Sequence, residues 1–384
     1  MGSGTDGAVL RLRVGAATAQ LSSNDEELAP WLATRFGDLA DGPSSAEPQH
    51  RLRIDRTDTG AAFTVDDARA YASANVPNVV DHFVSWCNRM AIESRPGHVN
   101  VHAAGLVAPG AAGCVVLPGA PGAGKSTLSA AALARGWGYL SDEVVSVGAD
   151  GVALPYPKPV TIKPPSLPLL SLDPEPLRLG PRQMRWYFRP TDFGGHLAGA
   201  STPNAVVYAS HEPDQPTSLV SMTNAEAALA LAANCQDELD LDGRALLRLA
   251  ALASACTCAR LEQHDLGEAV RLLAELPAPT PAVTQPQPLP APAPPSAPLV
   301  GPRVVDGAVG VALDDGVVVH HPASDALVAL DPLAGAIWQL LDGSTPQMEL
   351  ARELSDVFDH PVEEVAAGVM PMLAQLRVHG LVDG

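Results

Sequence analysis

Gly119-Ala120-Pro121-Gly122-Ala123-Gly124-Lys125-Ser126 fits the spacing G-x-x-x-x-G-K-[ST], and no other stretch constrains the fold of this chain as strongly. Before it, Cys114-Val115-Val116-Leu117 is a short apolar run that predicts a buried strand. After it, Ser126 to Arg135 predicts a helix, with Gly136 as its stop. Strand, glycine loop and helix N-terminus in this order make an anion site. Main-chain N–H groups point inward and the helix dipole favours negative charge. Gly119 to Ser126, with Thr127, are therefore the expected contacts of a nucleoside triphosphate. In such a loop the lysine reaches the terminal phosphates and the following hydroxyl reaches Mg2+, which here means Lys125 and Ser126.

The chain has 384 residues, enough for two or three domains. A formal charge of −19 argues against a nucleic-acid partner, because no basic surface is available for phosphates. The apolar segment Val101–Pro118 is broken by Gly and Pro and predicts no membrane span. Cys87, Cys114, Cys235, Cys256 and Cys258 form no C-x-x-C pair and read as free thiols. With no signal-peptide pattern at the N-terminus, a reducing cytoplasm is expected. The only lysines are Lys125, Lys158 and Lys163, although arginine is abundant. All three lie at or shortly after the glycine loop, which favours a role for each.

Residues 1–98 carry no catalytic signature and predict a wrapping subdomain that completes the sheet of the glycine loop. Val99–Val107 predicts one strand carrying His102, and the turn at Ala108–Gly113 sends the chain back into the loop strand. Asp142 and Glu143 follow an apolar approach, 17 positions after Lys125. Paired acids at a strand end can divide two tasks, holding Mg2+ and accepting the proton of an attacking hydroxyl. Leu154 to Lys163 is an extended, proline-spaced segment, and Arg182, Arg185 and Arg189 flank Trp186-Tyr187-Phe188. Arginines of this kind can bind phosphate bidentately, although a solvated loop position is the better reading for any one of them.

Residues 99–276 form the expected α/β domain around the loop, and 277–302 is a proline-rich spacer without a core. Residues 303–384 predict three strands and three helices, a winged-helix-like α+β module. That module holds 13 acids against Arg303, Arg352 and Arg377, so DNA reading is excluded on charge.

Two resemblances follow. Residues of about 99–275 resemble HPr kinase/phosphorylase and its relatives, including kinases that tailor lasso peptides. The His102 strand, the hairpin turn, Gly119–Ser126 and Tyr139-Leu140-Ser141-Asp142-Glu143-Val144-Val145 carry the likeness. Glu143 stands where the family commonly has a second Asp, and no copy of the C-terminal phosphorylase signature is present. Residues 303–384 resemble PqqD-like proteins, the recognition elements of ribosomal peptide pathways, through Leu330–Gly343 and Leu376–Val382. That family takes a precursor's leader peptide as an added strand beside its third strand, by β-augmentation. The resemblance implies Leu327, Val328 and Ala329, with Val365, Val369 and Met372 on the last helix, as the peptide groove.

Together these imply an ATP- and Mg2+-dependent kinase of a ribosomally made precursor peptide, with a Ser or Thr hydroxyl as acceptor. Asp142 is the expected general base, Glu143 supports the metal with Ser126, and His102 orients phosphate or acceptor. Kinase action on a folded protein or small molecule, a non-catalytic ATP-binding scaffold and a simple ATPase stand as alternatives. A homo-oligomer is left open.

Overall fold

The computed structural model describes residues 8–42, 46–174, 183–211, 215–237, 243–280, 282–290 and 299–383. Arg182 lies outside them. The chain divides into two compact units, Met1–Leu219 with Leu261–Leu276, and Val220–Arg260 with Pro277–Gly384.

In the first unit, Ala8–Val14, Ala17–Ser22, His50–Thr57, Gly60–Val65 and Ala68–Ser73 make a five-stranded sheet in that order. The residues alternate as a one-faced sheet requires: Leu12, Val14, Leu21, Leu52, Ile54 and Phe63 are buried together. Val76–Glu93 lays its stripe of Val79, Val80, Phe83, Trp86 and Cys87 into the same core, each large apolar side chain stabilising by about 1.5–3 kcal/mol. Asp25 starts the helix Leu28–Arg35 by accepting from the Glu27 and Leu28 N–H groups at 2.9 and 2.8 Å. The N-terminal part thus does not complete the loop sheet, contrary to the sequence expectation. It closes a sheet of its own, because a helix and one apolar face suffice to bury it. Val144, Tyr156 and Tyr187 extend that core toward the glycine loop.

The second sheet of this unit runs His196–Leu197, Gly138–Ser141, Ala103–Val107, Cys114–Pro118 and Pro203–His211, with residues 261–263 beside the last. Ala103–Val107 is antiparallel to Cys114–Pro118, so a hairpin does feed the glycine loop. Pro203–His211 pairs parallel to Cys114–Pro118. The loop helix is Lys125–Leu133, buried over nearly its whole length, and Gly136 follows at φ +79°.

In the second unit, Val309–Leu313, Gly316–His321 and Ala326–Leu330 form an antiparallel meander. Helices Pro332–Gln339, Gln347–Phe358 and Val362–Val378 follow, and Val382–Asp383 pairs back to Arg303–Val304. Asp331 caps the first of these helices, accepting from the Ala334 N–H at 2.8 Å. The run Gly316-Val317-Val318-Val319-His320 is buried throughout, which an alternating one-faced strand would not be. Val317 and Val319 enter the core with Ile337, Trp338 and Leu373. The helices Asn224–Ala233 and Arg244–Ser254 also pack on this sheet. The Asp315 carboxylate accepts from Asn224 N at 2.5 Å and Ala225 N at 3.1 Å, and Thr223 Oγ1 accepts from Glu226 N. Three otherwise orphaned helix N–H groups are satisfied in this way. Gly316 is required here, since a Cβ would stand 2.4 Å from the Leu330 carbonyl oxygen and 2.9 Å from Ala225 Cβ.

The proline-rich stretch is not wholly a free spacer. Gln287–Pro288 pairs with Val311 and Ala312 as a short strand. Val283 N and Thr284 N donate to Asp314 at 2.7 and 3.1 Å, and Leu289 packs against the hydrophobic core. Proline tolerates this position because it lies on a sheet edge, where its missing N–H costs little.

Candidate functional site

The expected strand over Val99–Val107 is broken at His102. Val99–Val101 pairs with Val145–Val147, whereas Ala103–Val107 pairs with Gly138–Ser141. The opposite chain breaks at residues 142–144. Both segments therefore change sheets at one level, and the two breaks face each other. His102 Nδ1 lies 3.1 Å from the Glu143 carbonyl oxygen and 3.5 Å from its Oε1. A carbonyl only accepts, so Nδ1 carries the proton and Nε2 keeps a lone pair. Burial, then the Lys125 charge, lower the imidazole pKa and outweigh Glu143, so His102 is neutral at pH 7.

The glycine loop supplies the facing wall. Gly122 and Gly124 have φ of +92° and +82°. A Cβ on Gly124 would also meet Gln263 Nε2 at 2.6 Å. The Lys125 ammonium donates to the Gly119 and Ala120 carbonyl oxygens at 2.5 and 3.3 Å. Burial lowers its pKa, opposed by Glu143 and Asp142. Thr127 Oγ1 and Ser166 Oγ share a hydrogen bond at 2.7 Å.

Asp142 sits behind this surface with no exposed side-chain area. Its Oδ1 accepts from Lys158 Nζ at 2.6 Å and Tyr139 OH at 2.8 Å, and Oδ2 accepts from Thr161 N at 3.1 Å. Burial alone would raise its pKa. The Lys158 charge and these hydrogen bonds outweigh burial and hold the carboxyl below the usual carboxylate range. Glu143 is the accessible member of the pair, its side chain 30% exposed.

One cavity of about 370 Å³ is lined by Pro121 to Thr127, His102, Asp142 and Glu143, so the expected catalytic and metal residues are brought together. Gly119 and Ala120 do not line it; their carbonyls hold the Lys125 ammonium. Thr161, Lys163, Ser166 and Arg185 complete the wall. Ser166 left no signal in the sequence, since a lone serine after two prolines is unremarkable. Arg185 is held by Asp81 at 3.0 Å. Arg189 instead forks onto Asp38, its Nε 3.1 Å from both carboxylate oxygens, and does not line the cavity. A second cavity of about 690 Å³ shares Gly122, Gly124, Thr127 and Ser166 with the first. His211, Gln263, His264 and Arg135 line it beside Leu169 and Leu170. Gln263 was not singled out by sequence. It is 3% exposed, its amide donates to the Ala123 carbonyl, and its Oε1 is buried without a partner.

In the second unit, Ala326–Leu330 is the terminal strand of its sheet among the described residues. One edge pairs with Gly316–His321, with Leu327 opposite His320 and Ala329 opposite Val318. Leu327, Val328 and Ala329 are half-buried. Val365, Val369 and Met372 line an apolar cavity of about 670 Å³ with Leu333, Ile337 and Leu354. Leu327, Val328 and Ala329 do not line that cavity, and Val369 is 4% exposed and is chiefly a core residue. Asp331, His360 and Glu364 stand among its lining.

The C-terminal elements thus form a small α+β domain with one strand edge that no described strand pairs. The family described as Coenzyme PQQ synthesis protein D (PqqD) matches it over residues 316–382. The PqqA binding protein of Rhizobium meliloti (strain 1021) is 32% identical over 89 residues, covering 21% of this chain and 91% of that protein. Through this region the chain belongs to the PqqD family. Among solved structures, TbiB1 in complex with the TbiA(beta) leader peptide aligns over 21% of this chain and 95% of that one, at 23% identity and a TM-score of 0.20. No helix among the described residues is long and apolar enough to cross a membrane.

Proposed function

We propose that this chain is an ATP-dependent kinase of a ribosomally made precursor peptide. The observation that carries the kinase half is the joining of Lys125, Ser126, His102 and Glu143 in one cavity at a glycine-loop helix N-terminus. The peptide half rests on membership of the PqqD family, whose relative above is named for binding PqqA, and on the open edge of Ala326–Leu330. An extended leader would add there as a strand, its main chain supplying affinity and its alternate side chains selectivity. The apolar cavity beside Val365 and Met372 would take one of those side chains. Carrying both units on one chain raises the effective concentration of the acceptor.

The triphosphate would lie along Gly122 to Ser126, with its nucleoside in the adjoining cavity by Gln263. Lys125 would exchange its loop carbonyls for phosphate oxygens. The Ser126 hydroxyl is a hard oxygen donor of the kind that suits Mg2+, and Ser126 would hold the ion together with phosphates and water. The ion would neutralise charge on the phosphates. The acceptor hydroxyl oxygen forms its bond to the γ-phosphorus as the β–γ bridge breaks, and that electron pair leaves on the β-phosphate oxygen of ADP. The hydroxyl proton passes to Glu143. Asp142 is fully engaged with Lys158, Tyr139 and Thr161 N, so this reading moves the base from Asp142 to Glu143 and leaves Asp142 a supporting role. His102, whose Nδ1 donates to the Glu143 carbonyl oxygen, would hold that segment and so orient the base toward the acceptor. Positioning and charge stabilisation supply the rate.

A fluorescent ATP analogue with Mg2+, and a labelled leader from a peptide encoded beside this chain's gene, test both halves on the full-length protein. Binding of both is expected. Failure of the leader to bind would remove the peptide reading, and failure of the nucleotide to bind would remove the kinase reading.

A further inference from the structure

The chain holds three lysines, and two already have partners. Lys125 lies on the glycine loop and Lys158 is buried against Asp142. The third, Lys163, lines the same cavity.

Its position is fixed from below. Thr161 N donates to Asp142, Lys158 Nζ donates to Asp142 and to Thr161 Oγ1 at 3.0 Å, and Tyr139 OH reaches the Lys158 carbonyl at 3.0 Å. Val160–Ile162 is further paired to Trp186–Phe188. The strand that leads into Lys163 is therefore clamped on both sides, whereas the Lys163 side chain itself is exposed. Its ammonium has no ion-pair or hydrogen-bond partner among the described residues. Arg185, the neighbouring cation in the cavity wall, is by contrast tied to Asp81. Lys163 and Lys125 line the same cavity. Two like charges beside one cavity repel unless an anion lies between them. In a chain that otherwise uses arginine, a compact ammonium here suits a single oxygen on a moving group better than a planar fork does.

We infer that Lys163 is a catalytic residue that meets the phosphoryl group in transfer, on the side away from Lys125. The inference rests on the kinase reading and deepens it. As the β–γ bridge breaks and the bond to the acceptor forms, negative charge spreads over the equatorial oxygens of the transferring group. Lys125 serves the donor phosphates from the loop, and Lys163 serves the group once it moves toward the acceptor. Lys158 touches no substrate in this scheme; it positions Asp142 and, through Thr161, the segment that carries Lys163.

The test uses the full-length protein with Mg2+ and fluorescent ADP, with and without aluminium fluoride, which mimics the flattened phosphoryl group. The wild-type chain should bind ADP and tighten by about 100-fold or more on adding aluminium fluoride, as transition-state mimics do. Lys163→Met should keep ADP affinity within about threefold but lose at least about tenfold of that tightening, since the lost contact exists only in the transition state. Lys163→Arg should recover part of the tightening, which a purely structural lysine would not predict. Equal tightening in Lys163→Met and wild type would overturn the role of Lys163 and leave the kinase reading standing. Wild-type protein that binds ADP without any tightening would overturn the kinase reading itself.

Discussion

Lys158 Nζ lies 2.6 Å from Asp142 Oδ1, and neither side chain is more than 1% exposed. A buried pair of this kind is costly to break from one side, because the survivor is an uncompensated buried charge. Lys158→Met or Asp142→Asn should each destabilise the first unit by about 3–5 kcal/mol in a denaturant titration. The double variant should lose less than the sum of the two. The pH dependence follows from the same pair. The Asp142 carboxyl is held below its ordinary value of 3.8, so its contribution is present above that value and is lost as pH falls through the folded one. Asp142→Asn should flatten the acid limb of the stability curve. An unchanged limb would mean that the pair is not formed in solution.

The exposed acid carries the catalytic prediction. Glu143→Gln should reduce phosphate transfer by about 10²–10⁴-fold, the usual worth of a positioned base. Nucleotide and Mg2+ affinity and melting temperature should hardly change, because Glu143 remains partly in solvent. A parallel loss of Mg2+ affinity would return Glu143 to the metal role and reopen the identity of the base.

For the peptide groove, Met372→Glu places a charge among Leu333, Ile337 and Val365. Leader affinity measured by fluorescence anisotropy should fall at least about tenfold, or 1.4 kcal/mol. Val378→Glu, on the same helix at a position 85% exposed, should bind like the unaltered chain. Equal affinities for all three proteins would place the leader elsewhere.

Packing within the second unit yields a stability prediction. Asp315 caps the helix Asn224–Ala233 through two main-chain N–H groups, so Asp315→Ala should cost about 0.5–2 kcal/mol in the second unit. A chain cut after residue 276 removes Asp315 and the whole sheet face, and should expose apolar surface that binds a hydrophobic dye. A truncated chain as dye-silent as the intact protein would contradict the packing of these helices on the sheet.

The glycine loop, its hairpin and the Asp331-Pro332 helix start were legible because each rests on local chemistry: positive φ, a cap, a fixed spacing. The break at His102 was not, since Val99–Val107 is apolar throughout and nothing in it marks a change of sheet. Asp142 and Glu143 were found as a pair, but the burial of Asp142 depends on Lys158 and Tyr139, and no local pattern reports a partner 16 residues away. The docking of Gln287–Pro288 was hidden by a composition that reads as spacer. The burial of Val318 and His320 on a second face was visible only as an unbroken apolar run, which suits a buried strand without naming what covers it.

The most direct test is the intact mass of the precursor peptide after incubation with the full-length protein, ATP and Mg2+. Wild-type protein should add the mass of one phosphoryl group, Glu143→Gln should add almost none in the same time, and removal of the leader should slow wild-type transfer. An unchanged peptide mass while ATP is consumed would contradict peptide phosphorylation.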